Sequence, residues 1–461
     1  LEKWSHHYFN SQYLEYSDLV ITPLFVALIF FLINLNRERL LGINNPLRSY
    51  LIPALSLKIF GALASGLVYQ FYYGGGDTMD FYTSASYVAG LCFDNFSDFL
   101  GMLNSSPFLS DPTLTRYDFL EFASDPSTWT VIRIITVLDI FSFDSYPVIS
   151  IYFSLFSLYA SWKFLTLICQ LYPQPELRRK FAYCIFYIPS VIFWGSGIFK
   201  DTLTLSGLYL FTVYIYAVVI KRQIKPSNFV WIALGLYLMV KIRLFFLIIL
   251  IPCLMLWFFA EYRDKLIKSR FLKTASFPIL MLITIGIITY GLKSVMGGNS
   301  ELSSKALTEK AEGFQSWHSS LGGSAYDLGI VDYSTGSLLR AIPLGINVAF
   351  FRPYLWETHS LFQMIAALQS LFFLYFTVRT VLRCGFSIFL ILATDPLMLF
   401  SLSFSLLYGF VAGFTSYNFG ALDRYKIPAL PFFMITLVLV NFYKDQDIKK
   451  ASKKSLAIDK G

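Results

Sequence analysis

Apolar runs long enough to cross a bilayer recur from one end of this chain to the other, and that recurrence leaves few folds open. Inside hydrocarbon every backbone N–H and C=O must be satisfied within the chain, so such runs become helices. The first, DLVITPLFVALIFFLINL, covers 18–35, and the second covers 50–72. Others lie at 146–172, 181–199, 202–220, 228–260, 275–293, 357–378, 386–413 and 428–443. The run 228–260 is too long for one span and is interrupted by Lys241-Ile-Arg243, so it divides into two short helices. In 386–413, Asp395-Pro396 marks a re-entrant start with a span from about 397. These runs predict an all-α integral membrane protein of about eleven or twelve spans. Only 14% of residues are charged, against about a quarter in soluble domains, which agrees.

The charges that remain give the chain a direction. Arg37, Arg39 and Arg48 follow the first span, so that loop is expected to be cytoplasmic and the N-terminus outside. Basic clusters at Arg178-Arg179-Lys180, at Lys221-Arg222 and in EYRDKLIKSRFLK repeat the signal, as does the tail KDQDIKKASKK, which places the C-terminus in the cytoplasm. The net charge of +8 sits mostly in these clusters and is no nucleic-acid footprint. Residues 73–145 hold ten Asp and Glu but only Arg116 and Arg133, and form a first external loop. Within it, FSDFLGML and WTVIRIITVLDIF read as helices lying in the membrane interface. A second external loop covers 294–356 and ends in INVAFFRPYLWE, whose apolar face dips toward the bilayer. Four of five cysteines lie in or beside apolar segments and the four histidines lack ligand spacing, which argues against a disulfide framework or a metal site. The chain starts at Leu1 rather than Met, so residues are expected upstream, and no cleavable signal is legible.

Chemistry concentrates at YYGGGDTMDFYTSASYVAG, residues 72–90. Gly74 to Gly76 permit a sharp turn and Asp77 follows at once. Asp77 reads as a helix N-cap, with Asp80 completing a capping-box-like pair. The two carboxylates stand near the membrane surface, where one is placed to act as a general base. Capping alone is the plainer reading and takes about half the weight for the motif in isolation. Around it, Lys200, Asp201, Lys241, Arg243, Arg352, Glu357, Asp423, Arg424 and Lys426 all fall at expected external span ends, against the positive-inside trend. Each alone is explained by snorkelling. As a group, Lys241, Arg243 and Arg424 are expected to form a cationic pocket for a phosphate or pyrophosphate, with Lys200, Arg352 and Lys426 as further contacts.

An acidic motif opens the first external loop, short-looped spans follow, and a second large external region comes late. That order resembles the C-type glycosyltransferase superfamily, polytopic enzymes that use polyprenyl-phosphate sugars. FWGSGIFKDTL and NFGALDRYKIPALP also resemble segments of bacterial members from envelope-polysaccharide loci. The resemblance covers about 50–440. It implies that an acidic residue opening the loop is the base, here Asp77 with Asp80 in reserve. It implies an inverting transfer to a glycan, lipid or protein acceptor at the external face of a bacterial inner membrane. A divalent cation would share charge neutralisation, although no ligand cluster argues for one. The chain then divides into an extra span with its loop (1–49), a membrane module (50–293) with catalytic loop 73–145, the second external loop (294–356), and C-terminal spans with a basic tail (357–461). Two departures from the family are the extra first span and a D-x-x-D motif where an adjacent acidic pair is usual.

Rival readings are a polysaccharide polymerase or ligase centred on 294–356, a transporter with charges deep in its spans, and a non-enzymatic subunit of a membrane complex. Topology is tested with single cysteines. A membrane-impermeant thiol reagent is expected to label position 77 from outside and to miss positions in 221–226 and 261–274. Labelling of position 77 only from the cytoplasm overturns both the topology and the mechanism.

Overall fold

The computed structural model of the protein describes residues 13–104, 125–266 and 335–458, with 282, 286, 325, 326 and 328 beside them. It is 84% helical, and among the described residues the one β feature is an isolated bridge between Ala325 and Asn418. Among the described residues seven helices are long and apolar enough to cross a membrane, or eight if Phe419–Tyr425 and Ala429–Gln446, bent by 65°, form one span. The architecture is that of an all-α integral membrane protein. The expected span 275–293 and most of the second loop, 294–356, lie outside the described residues.

The chain forms two compact units, Leu1–Arg178 with Val191–Leu244, and Arg179–Ser190 with Phe245–Gly461. The first unit opens with α1 (Asp18–Leu41), which buries little, and α2 (Arg48–Val68), which runs on as a π-helical turn over Tyr69–Tyr73. Then come α3 (Asp77–Asp94), α4 (Phe96–Asn104), α5 (Pro126–Ile140) and α6 (Tyr146–Leu171). Helices α7 (Pro175–Phe186), most of which belongs to the second unit, and α8 (Pro189–Trp194) are short, and α9 (Lys200–Val219) and α10 (Pro226–Arg243) follow in the first unit as an antiparallel pair. The mostly buried α6 and α9 make the centre of this unit. Backbones meet directly where α9 crosses α10: a Cβ on Gly235 would lie 2.6 Å from the Gly207 carbonyl oxygen. Small residues at such crossings let helices approach closely, which matters where lipid offers no hydrophobic drive.

In the second unit, α11 (Phe245–Leu266), α12 (Thr335–Phe351), α13 (Leu361–Cys384), α14 (Ser387–Thr394) and α15 (Pro396–Thr415) precede α16 (Phe419–Tyr425) and α17 (Ala429–Ile458). Its hub is α15, packed on α11, α12 and α17. Gly413 and Gly345 form a second glycine crossing, with a Cβ on Gly413 only 2.1 Å from the Gly345 carbonyl oxygen. Asp395 caps α15 through the Met398 N–H (3.0 Å) and accepts from the Tyr443 hydroxyl (2.8 Å), so the span starts at Asp395-Pro396 as the sequence implied.

One expectation is corrected. Residues 181–199 are no span: α7 ends at Phe186, Pro189 restarts the chain as a six-residue helix, and a non-helical turn runs to Phe199. Proline has no N–H to continue α7 and disfavours helix in the residue before it. The run 228–260 divides at the basic pair as expected: α10 ends at Arg243 and α11 starts at Phe245, and of the two α10 is not among the described helices long and apolar enough to cross a membrane. The helix formed by WTVIRIITVLDIF, α5, packs on both α3 and α10 and buries Trp129, Val131, Ile132 and Ile135.

Gly235→Val is expected to cost about 1–3 kcal/mol through overpacking, read as a lower melting temperature. Gly101→Ala is the control, since a Cβ there meets nothing within 4 Å. Equal losses from both would mean that the crossing is not the cause.

Candidate functional site

The glycine run is a conformational requirement. Gly74, Gly75 and Gly76 have φ of 72°, 142° and 117°, a region that L side chains rarely adopt. The Gly75 N–H bonds back to the Tyr69 carbonyl at 3.0 Å, closing the π turn, and the chain re-enters helix at Asp77. The cap is therefore Gly76, not Asp77. Its carbonyl accepts from the N–H groups of Met79 (2.8 Å) and Asp80 (3.2 Å), and no capping box forms because glycine has no side chain. Asp77 and Asp80 occupy the first turn of α3, where the helix dipole favours negative charge, and both are half-buried.

Within the first unit the starts of α5 and α9 lie near this turn, and the start of α9 is in turn paired with the end of α10. Asp125 caps α5, accepting from the Ser127 N–H (3.0 Å) and the Thr128 N–H (3.3 Å). Its other partner is the Lys200 ammonium at 3.0 Å, which also donates to the Ser127 hydroxyl (2.9 Å) and stands 5.8 Å from the centre of the Phe81 ring on α3. Burial works against ionisation of Asp125, but hydrogen bonds from Thr128, Lys200 and Ser127 outweigh it and hold its carboxyl well below the ordinary range. One residue on, the buried Asp201 pairs with Arg243 at 2.9 Å, tying α9 to α10. Lys241 is exposed.

Beneath this layer lies a second set of charges. Asp144 has a left-handed backbone (φ 59°), as does Phe143 (φ 56°). The Tyr82 hydroxyl holds that turn, donating to the Asp144 carbonyl oxygen (2.8 Å) and carboxylate (2.9 Å), while the Ser86 hydroxyl donates to the same carboxylate at 2.7 Å. The Ser145 hydroxyl donates to Asp18 at the start of α1. Deeper still, Lys58 lies within α2, almost fully buried, and donates to the Ser157 hydroxyl and the Gly195 carbonyl, both at 2.8 Å.

The remaining expected residues belong to the second unit. Arg352 makes a bidentate ion pair with Glu357, its Nε at 3.0 and 3.1 Å from the two carboxylate oxygens. The guanidinium lies 5.3 to 5.8 Å from the ring centres of Phe419, Tyr326 and Tyr354. Burial opposes the charge on Glu357, but Arg352 and the Tyr354 N–H bring its carboxyl below the ordinary value. Lys426, fully buried, stands 3.3 Å from Asp423, which also accepts from the Ser190 hydroxyl at 2.6 Å. Arg424 is buried on α16. The expected pocket of Lys241, Arg243 and Arg424 thus draws on both units, and Lys200, Arg243, Arg352 and Lys426 each have a carboxylate partner.

Sequence reasoning passed over Lys58 and Asp125. The first was visible as a lysine in the middle of an otherwise apolar run, where a charge needs a reason. The second was visible in Asp125-Pro126, an N-cap followed by proline at the first helical position. No group of three or more His, Cys, Asp or Glu side chains placed to hold a metal occurs among the described residues. No protein-family model, no curated protein and no solved structure matches the chain.

Two outcomes follow from the ion pairs. Arg243→Ala removes the ion-pair partner of the buried Asp201, and is expected to cost about 3–5 kcal/mol. Adding Asp201→Asn should recover part of that loss in a thermal melt. Because the Asp125 carboxyl is depressed, its contribution to stability is fully present above its unfolded value and is lost as pH falls through the folded one. The difference in melting temperature between wild type and Asp125→Asn should therefore be constant above about pH 5 and shrink below about pH 4. A difference that instead grows as pH falls would contradict the assigned partners.

Proposed function

We propose that this chain is a membrane glycosyltransferase that moves a sugar from a polyprenyl phosphate to a hydroxyl acceptor, with Asp77 as the base. The observation that carries the reading is the first turn of α3. Two half-buried carboxylates follow three glycines that no other residue type readily replaces, near the start of α9 that bears Lys200. In this scheme Asp77 takes the proton from the acceptor hydroxyl as its oxygen attacks the anomeric carbon. The bond from that carbon to the phosphate oxygen breaks, and the lipid phosphate leaves with the electron pair. Lys241, exposed, and the outer edge of Lys200 meet that charge. Arg243 supports them by fixing the end of α10 against α9 through Asp201. Asp80, one turn in, orients the acceptor. Arg352, Arg424 and Lys426 of the second unit are left out of the step.

The basic-loop pattern supports placing this end on the non-cytoplasmic side of a bacterial inner membrane. A transporter reading would draw on Lys58, the one charge noted deep in a span, yet that ammonium is committed to Ser157 and Gly195.

Loss of a general base typically costs about 10²–10⁴-fold in rate. Asp77→Asn is expected to abolish glycan product per unit of folded protein, and Asp80→Asn to reduce it less. The measurement is mass spectrometry of envelope glycans and glycoproteins from cells carrying each variant. A near-normal Asp77→Asn beside a dead Asp80→Asn moves the base to position 80. Near-normal product from both removes this turn from the chemistry.

A further inference from the structure

At the end of the first unit opposite Asp77, the α1–α2 turn and the end of α6 enclose an open cavity of about 780 Å³. Pockets of about 300–1,000 Å³ hold drug-sized ligands. Its wall is amphipathic: Leu41 and Leu47 are apolar, while Gln170, Thr166, Asn44 and Arg178 are polar. The charge around it is lopsided. Glu38 on the wall is paired with Arg48 at 3.2 Å, and Gln170 accepts from the Lys221 ammonium at 2.7 Å. Arg178 and Glu38 are thus the charged residues of the wall, with Arg48 and Lys221 held just outside it by Glu38 and Gln170, so cations outnumber the carboxylate. Arg178 donates to the Pro173 carbonyl at 3.0 Å, its one protein hydrogen bond among the described residues, which leaves most of its fork of donors for a ligand.

That balance calls for an anion, and the surface beside the cavity says which kind. Helix α1 ends at Leu41 on the cavity wall, and Leu28, Phe31 and Leu35, further up the same helix, are 48%, 63% and 67% exposed. A free phosphate has no use for that face, whereas an acyl chain covers it. We propose that the cavity is a binding site for an anionic phospholipid, its phosphate met by Arg178 and Lys221 and its chains laid along α1. Basic pockets between membrane helices commonly take such headgroups. The assignment is independent of the glycosyltransferase reading and concerns the other end of the unit.

Cys169 lines the cavity and gives a direct readout. The full chain is placed in nanodiscs of phosphatidylcholine alone or with added phosphatidylglycerol, and maleimide labelling of the peptide carrying Cys169 is followed by mass spectrometry. Phosphatidylglycerol is expected to slow labelling about fourfold once it stands at three times its dissociation constant. Arg178→Gln should remove that protection, and Lys225→Gln, on the exposed loop outside the cavity, should keep it. Equal labelling of the wild type in both discs overturns the proposal without recourse to any variant. Protection lost equally in both variants overturns it as well, because general surface charge then accounts for the effect. Equal protection by soluble glycerol 3-phosphate in neutral discs also overturns it, assigning the cavity to a free phosphate compound.

Discussion

A lysine inside an apolar helix has to spend its protons on the protein, and Lys58 spends two of them on groups from separate parts of the chain. A charge at the bilayer centre costs about 2.5–3.5 kcal/mol on insertion scales, so partners that lower this cost are held firmly. Ser157 comes from α6 and the Gly195 carbonyl from the turn before α9, and the Ser157 hydroxyl itself donates to that carbonyl at 2.6 Å. Three segments are thereby fixed at one depth: α2, α6 and the break that follows α8. Small residues let them close on one another. A Cβ on Gly61 would fall 2.0 Å from the Ile192 carbonyl oxygen, and one on Gly197 2.4 Å from the Ser65 hydroxyl. The placement of Lys200, and through it of Asp125 and α5, depends on this arrangement.

The charged layer above it is built from pairs rather than from free cations. Single surface pairs contribute little, but Asp201 is buried and its pairing with Arg243 ties the start of α9 to the end of α10. A paired arginine is a fixed object with a fixed orientation, and that suits it to position its neighbours. Lys241 is the exposed cation of the group, which leaves it the most free to follow a ligand.

Much of the fold was legible in the sequence because the rule that governs it is local. A run of apolar residues must become helix whatever surrounds it, and α1, α2, α6, α9, α13 and α15 begin and end within a few residues of the runs that predict them. The break at Pro189 was legible too, but hydropathy averages over it and hides it. The pairing of the charges was not legible. Asp125 and Lys200 are 75 positions apart, and Asp18 meets Ser145 across 127. Nothing in the local pattern of either segment names the other. Charges at span ends could therefore be grouped by side of the membrane but not matched to partners. For the same reason Asp77 was read as a cap: the three positive φ values that hand the capping position to Gly76 come from the π turn before it.

That π turn has a consequence for what the segment tolerates. A π turn carries one more residue than the α-helical turn it replaces, and single turns of this kind tend to occur at functional sites. Removing any one residue from 69–73 would let α2 continue as ordinary helix. Everything beyond would then turn by about 100° and shift by about 1.5 Å along the axis. The glycines would still bend, but toward a different neighbour, and Asp77 would leave the side that faces α5 and α9. The length of this stretch is thus constrained more tightly than its exposed composition: Phe71, Tyr72 or Tyr73 can be exchanged, whereas a missing residue re-aims the whole acidic turn.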